Sequence, residues 1–189
     1  MEYHPMTEHE ISFFPKKRHI FINGEITEET HQKVLKSLRY LNEADGKKPI
    51  TLFINTEGGG WDAARAISDD IRAEDMSAPV YGCVTGQAHS AGFIILQACD
   101  KRFAHPSALF MFHAPDLGGV RADAPYLRAT IKEIQKEHEH FLRLIVGRSK
   151  RKMTLKEARE WSRASKEFSA QIALKNGLID KIKKMRPTV

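Results

Sequence analysis

The sequence predicts an α/β fold: a largely parallel sheet with crossover helices. Three observations predict it. Short β-branched and aromatic runs alternate with segments whose apolar residues recur at helical spacing, and strand-helix-strand order is what parallel pairing requires. Glycines break the chain between such segments, at Gly58 to Gly60 and at Gly177. The length, 189 residues, suits one sizeable hydrophobic core and leaves no room for two ordinary domains and a linker.

The elements follow in order. His19 to Asn23 (HIFIN) reads as a strand, and Thr27 to Asn42 as a helix with Val34, Leu35, Leu38 and Leu41 on one face. Ile50 to Asn55 (ITLFIN) is the next strand; after the glycines, Ala64, Ile67 and Ile71 mark a helix from Trp61 to Arg72. A β-branched and aromatic run, Pro79 to Thr85 (PVYGCVT), places a strand at Val80 to Thr85 before an apolar helix candidate, Gly92 to Cys99 (GFIILQAC). Another strand is expected at Ala108 to His113. The longest periodic segment is Ala124 to Val146, where Leu127, Ile131, Ile134, Phe141, Leu142 and Ile145 form a stripe opposite Lys, Glu and Arg. A helix this long either covers its own core or packs against another subunit. Thr154 and Glu157 have capping-box spacing for a helix through Trp161, Ser169 caps a further helix, and Gly177 ends that one before a strand at Leu178 to Ile182. With no repeat, low-complexity tract or linker, residues 1–189 read as a single domain.

Composition narrows the function classes. Hydrophobic residues at 41% and charged residues at 29% indicate an ordered globular chain. No stretch approaches the roughly 20 apolar residues of a membrane span. The beginning, MEYHPMTEHEISFF, lacks the basic-then-apolar order of a secretory signal, so a cytoplasmic protein is expected. The two cysteines, Cys83 and Cys99, lie in apolar runs and read as buried free thiols of a reducing compartment. The net charge of +6 gathers at Arg148 to Lys152 and Lys181 to Arg186 without the aromatic interleaving or motifs of a nucleic-acid binder, so it reads as solvated surface. Glu137-His138-Glu139-His140 resembles a ligand cluster, but His138 and His140 are two apart and diverge on a helix. Neither a metal nor another cofactor is expected.

Two segments carry the chemistry: Gly86-Gln87-Ala88-His89-Ser90-Ala91-Gly92 and Met111-Phe112-His113-Ala114-Pro115. The first puts Ser90 at a strand-to-helix turn, where free N–H groups and the positive dipole end favour a developing oxyanion; the competing reading is a plain N-cap. A serine hydroxyl needs a base, and His113, at the end of an apolar strand stopped by Pro115, is the candidate; a core histidine bonded to backbone is the alternative. His89 adjoins Ser90 but diverges from it, so it is better suited to shaping the pocket. Acyl transfer also needs oxyanion donors. The Thr56-Glu57-Gly58-Gly59-Gly60 turn follows a strand expected beside the Val80 strand, and the Gly59 and Ala91 amides make the candidate pair, although a triple glycine is also a common tight turn.

Taken together, these residues resemble the proteolytic subunit of the Clp protease, a serine peptidase family with the crotonase-like fold. The resemblance runs from about Arg18 to Ile182. It rests on the TEGGG segment after Phe53-Ile54-Asn55, similar to the family's INSPGG; on GQAHSAG, similar to GQAASMG; on KRFAHPSALFMFHAP, similar to KRFALPNSRIMIHQP; on Leu117-Gly118-Gly119; and on FSAQIALKNGLID, similar to a stretch ending in SAxEAxxYGLID. It implies a repeated βαβ spiral core, Ser90 as nucleophile, His113 as general base, and an oxyanion hole at Gly59 and Ala91. It further implies that Gly118 and Gly119 bind extended peptide, that residues 124–147 form a handle helix joining two heptameric rings into a homo-oligomeric chamber, that the substrate is a peptide or unfolded protein, and that an AAA+ ATPase is the partner.

The chain departs from the family pattern where it matters. The triad aspartate's position, four residues before the serine of FSA, holds Ser165, which can orient an imidazole but cannot stabilise an imidazolium by charge. Glu167 is a possible substitute acid. Glu57 replaces a proline, His89 replaces a small residue, and residues 1–17 do not match the family's axial loop. Three functions therefore compete: an active serine endopeptidase, a catalytically impaired structural or regulatory subunit, and, by fold analogy alone, a crotonase-type acyl-CoA enzyme.

Overall fold

Alternating residues of the central strands are divided between a helix-covered core and an aromatic outer layer. The computed structural model describes residues 11–115, 123–150 and 152–184. Strand β1 (Ile11–Phe14) leads through a short 3-10 turn to β2 (His19–Asn23), α1 (Glu28–Ala44), β3 (Ile50–Thr56), α2 (Trp61–Ile71), β4 (Val80–His89) and α3 (Ala91–Ala98). Then come β5 (Lys101–Ala104), β6 (Leu109–Met111), α4 (Ala124–Arg148), α5 (Leu155–Arg163), β7 (Glu167–Ser169), α6 (Ala170–Lys175) and β8 (Lys181–Ile182). The mixed α/β fold expected from the sequence is present, with β2, β3, β4, β5 and β8 parallel and β1 added antiparallel at one edge. Ile20, Ile22, Leu52 and Ile54 face the helices and join the main core; Phe21, Phe53 and Cys83 face the other way, where Phe21 and Phe53 stack with ring centroids 4.8 Å apart.

The element that sets up the site is β4. Tyr81 to Val84 pair with β5, whereas Gln87 to His89 pair with β6, so one strand serves two successive neighbours. Between the two stretches the β3 register shifts: Ile54 faces Val84 but Thr56 faces Ala88. The extra β4 residues form a bulge that Asn55 fills, its Oδ1 accepting from Gln87 N at 3.2 Å. Gly86 leaves room for that side chain, since a Cβ would lie 2.2 Å from Asn55 Oδ1 and displace it. The bulge re-aims the strand and lets it run four residues past the expected Thr85.

The helix ends follow local chemistry. Thr154 and Glu157 close the expected capping box on α5, and Ser169 caps α6 through Ile172 N. At the end of α6, Gly177 is left-handed (φ 69°); its N–H donates to Leu174 O and that of Leu178 to Ala173 O, a Schellman motif. That motif occupies Leu178, so the expected Leu178 to Ile182 strand shrinks to β8. Strand β6 is likewise shorter than the expected Ala108 to His113. In α4 the buried residues are Phe141, Leu142 and Ile145, all in its C-terminal half; Tyr126 and Ile131 near its start are 59% and 39% exposed. Among the described residues, no helix is long and apolar enough to cross a membrane.

Candidate active site

Ser90 is delivered by the end of β4, where its N–H donates to Met111 O at 2.8 Å and prolongs the pairing with β6. Its backbone, φ 49° and ψ −115°, is neither helix nor strand. Such a conformation costs an L-residue about 1–3 kcal/mol and persists only when the surroundings over-determine it. They do: Ala88 and Ala91 on either side are buried, and a Cβ on Gly92 would lie 2.3 Å from Thr56 Cγ2, so helix and strand meet too closely for any larger residue. The N-cap alternative is resolved by the hydroxyl. Ser90 occupies the N-cap of α3, yet its side chain makes no capping bond; its Oγ lies instead 2.8 Å from Nε2 of His113, 23 residues away.

For Nε2 to accept the hydroxyl proton, the neutral imidazole must carry its own proton on Nδ1. His113 lies just past the end of β6 and is half-buried. Ser90, Ala91, His113, Gly59, Gly60, Glu57, Trp61 and Pro115 line one cavity of about 410 Å³.

The glycine turn borders that cavity. Ile26 N donates to Gly58 O and Gly60 N to Ile26 O, a parallel bridge centred on Gly59. In such a bridge the middle residue's own N–H faces away from the partner strand. Both glycines need positive φ, 117° at Gly58 and 140° at Gly59. Gly58 N is occupied by Thr56 Oγ1 at 3.0 Å, which leaves Gly59 N–H as the candidate donor of the turn. Among the described residues neither Gly59 N–H nor Ala91 N–H has an acceptor, the condition expected of amides that await a substrate oxygen.

The remaining candidates lie elsewhere. Ser165 sits exposed in a left-handed turn (φ 45°) after α5; its N–H donates to Ser162 O, and among the described residues its side chain makes no hydrogen bond to His113. Glu167, on β7, faces His89: Oε2 is 3.5 Å from His89 Nε2 without hydrogen-bonding geometry. Burial holds the His89 pKa below its usual value against the opposing pull of Glu167 and Glu57. Gly118 and Gly119 lie outside the described residues.

Two neighbours of the site have no signature in the sequence. His138 on α4 shares a 2.8 Å hydrogen bond with the buried Ser162 on α5. Burial lowers its pKa, Glu139 opposes the shift, and the charge of His113 adds to it, which places the two imidazoles within electrostatic reach. Trp61, on the cavity wall, is fixed by an Nε1–H bond to Glu137 Oε2 at 2.9 Å. The Glu137 to His140 run thus holds side chains of neighbouring helices, and among the described residues no group of three metal-ligating side chains converges. Only the pairing of α4 with α2 and α5 reveals these contacts.

Known proteins carry the same arrangement of segments. Residues 6–186 match the family model described as Clp protease. The chain is 33% identical over 182 residues to ATP-dependent Clp protease proteolytic subunit 2 of Treponema denticola, covering 93% of this chain and 86% of that one. It is 34% identical over 171 residues to the protein of the same name from Chlamydia trachomatis serovar D, covering 88% and 81%. With the family model spanning nearly the whole chain and two relatives above 30% identity over most of theirs, the chain belongs to the Clp protease family.

Proposed function

We propose that the protein is a serine endopeptidase in which Ser90 and His113 cut peptide bonds inside an oligomeric chamber. The observation that carries this reading is the 2.8 Å Ser90 Oγ to His113 Nε2 contact at a strained strand-to-helix turn. His113 takes the hydroxyl proton as Ser90 attacks the carbonyl carbon; the oxyanion is received by the N–H groups of Gly59 and Ala91, each such donor being worth about 10²–10³ in kcat. The imidazolium then protonates the departing amine, and the acyl-enzyme is hydrolysed by a water that His113 deprotonates. The extended peptide is held by the Gly118-Gly119 segment as an added strand. Residues 1–189 act as one peptidase domain, and α4, exposed at its start, is the handle through which two heptameric rings join. An AAA+ ATPase feeds the chamber, in keeping with the words ATP-dependent in the relatives' names. The free, buried thiols suit a cytoplasmic setting: burial pushes Cys83 to about 11 and Cys99 to about 12.

A fluorophosphonate probe tests this reading. Wild type is expected to be labelled at Ser90 and Ser90→Ala and His113→Ala to resist; an assembled wild type that resists labelling removes the claim of an activated nucleophile.

Ser165 favours a second reading, a subunit that assembles but cuts poorly. In another serine protease, replacing the triad aspartate by asparagine lowers kcat about 10⁴-fold, with residual catalysis from the oxyanion hole and binding. On this reading Ser165→Asp raises peptide hydrolysis by one to several orders of magnitude. Substantial wild-type turnover that Ser165→Asp leaves unchanged rejects it.

A further inference from the structure

We infer that Glu57 makes the catalytic cavity selective for a basic side chain, lysine or arginine, on the residue that carries the scissile carbonyl. This deepens the peptidase reading and rests on it. Glu57 stands between Thr56, which ends β3, and the glycines of the turn. Its backbone is fixed on both sides, because Thr56 Oγ1 binds Gly58 N and Ile26 brackets Gly59. Glu57 is exposed and borders both the cavity that holds Ser90 and His113 and the neighbouring one that holds Gln87, and it is the one carboxylate, lysine or arginine among the described residues lining the first.

Among the described residues no lysine or arginine is paired with that charge. The partner of Glu57 is a neutral amide, Gln87 Nε2 at 3.4 Å from Oε1. A second cavity of about 690 Å³ shares Glu57 and Gly59 with the first, is also lined by Glu25, Asn55, Gly58 and Gln87, and has no basic residue among its described lining residues. A peptide carbonyl seated on the Gly59 and Ala91 amides puts the side chain of its own residue into the smaller cavity, within reach of this carboxylate. An ammonium or guanidinium group there meets uncompensated negative charge, a carboxylate meets repulsion, and an apolar chain meets neither. Complementary charge of this kind selects among substrates more than it raises overall affinity.

The test uses the assembled full-length protein and three peptidyl diphenyl phosphonates that differ only in the side chain beside phosphorus: aminobutyl, n-butyl and carboxyethyl. Ser90 labelling is followed by mass spectrometry. In wild type the aminobutyl probe is expected to react about three- to tenfold faster than the n-butyl probe at low salt, as for a partly exposed ion pair, and the gap should narrow in 1 M NaCl, where the Debye length is about 3 Å. Glu57→Gln should bring the ratio to about one, and Glu57→Lys should make the carboxyethyl probe the fastest of the three. Equal aminobutyl and n-butyl rates in wild type, or a preference that survives Glu57→Gln, overturn the inference. Labelling by a simple fluorophosphonate separates the two claims: if it reacts while the side-chain preference is missing, selectivity alone falls; if it too fails, the peptidase reading falls and the inference with it.

Discussion

Replacing Gly58 with alanine tests whether the glycine turn is packed directly on the nucleophile. A Cβ at position 58 would lie 2.7 Å from Ser90 Cβ, 3.2 Å from His89 O and 3.3 Å from Ala91 N, at a φ of 117° that alanine rarely adopts. Holding an L-residue in that conformation costs about 1–3 kcal/mol. Relieving the clash by moving backbone adds about 1–3 kcal/mol, as for overpacked cores. Together these predict a loss of about 2–6 kcal/mol, or roughly 4–24 °C in Tm for a chain of this size. Because the colliding atom is Ser90 Cβ, relief also displaces Oγ from its 2.8 Å contact with His113. A misplacement of about 1 Å can cost on the order of 10²-fold in rate. Thermal unfolding and the rate of fluorophosphonate labelling measure the two effects separately. A variant that melts and labels like wild type would show that the turn does not rest on Ser90, and the oxyanion assignment would lose its geometric basis.

Gly147 provides the opposite case: outside the helix's own backbone and the two chain neighbours, no atom of the described residues lies within 4 Å of a Cβ built there, inside α4, so Gly147→Ala should stabilise by about 0.5–1 kcal/mol in chemical denaturation and leave labelling unaffected. Asp180 accepts from Arg102 Nε at 3.2 Å, Nη2 at 3.0 Å and the backbone N–H at 2.8 Å, and Arg102 is 2% exposed, so Asp180→Asn should cost about 3–5 kcal/mol by leaving a buried guanidinium without its counter-charge. Burial raises the Asp180 pKa, but the hydrogen bonds from Arg102 and the charges of Arg102 and Arg148 outweigh it and hold the carboxyl below its ordinary 3.8. A depressed folded-state pKa gives stability that is fully present above about 3.8 and lost as pH falls through the lower folded value. The stability difference between wild type and Asp180→Asn, measured by denaturant unfolding as pH is lowered, should therefore shrink in that acid window; a constant difference contradicts the ion-pair account.

What the sequence made legible was local. The helical stripe of α4, the Thr154 and Glu157 box, and the apolar runs of β2, β3 and β4 all announce themselves within a few residues. Ser90 and His113 were legible for the same reason, since a small-residue turn and a proline-stopped strand are short-range signals; their resemblance to known segments fixed the pairing. Strands β1, β5 and β7 were not legible, being three or four residues long and stabilised by partners far away in sequence. The overrun of β4 depends on a bulge filled by Asn55, and no periodicity encodes a bulge. Glu167 was a candidate for the empty acid position, but its pairing opposite Met111 turns it toward His89 instead. The His138 to Ser162 contact depends on how α4 crosses α5, which neither helix specifies alone.

Thr56 links both halves of the proposed oxyanion hole through a single buried side chain. Its hydroxyl accepts from Gly58 N, one residue before the proposed Gly59 donor, and its methyl group lies against Gly92, one residue after the proposed Ala91 donor. The two amides come from distant parts of the chain, yet they share this one threonine as a support. Valine at 56 would keep the methyl and lose the hydroxyl, and serine would do the reverse, so the two substitutions separate the support of the glycine turn from that of the helix start.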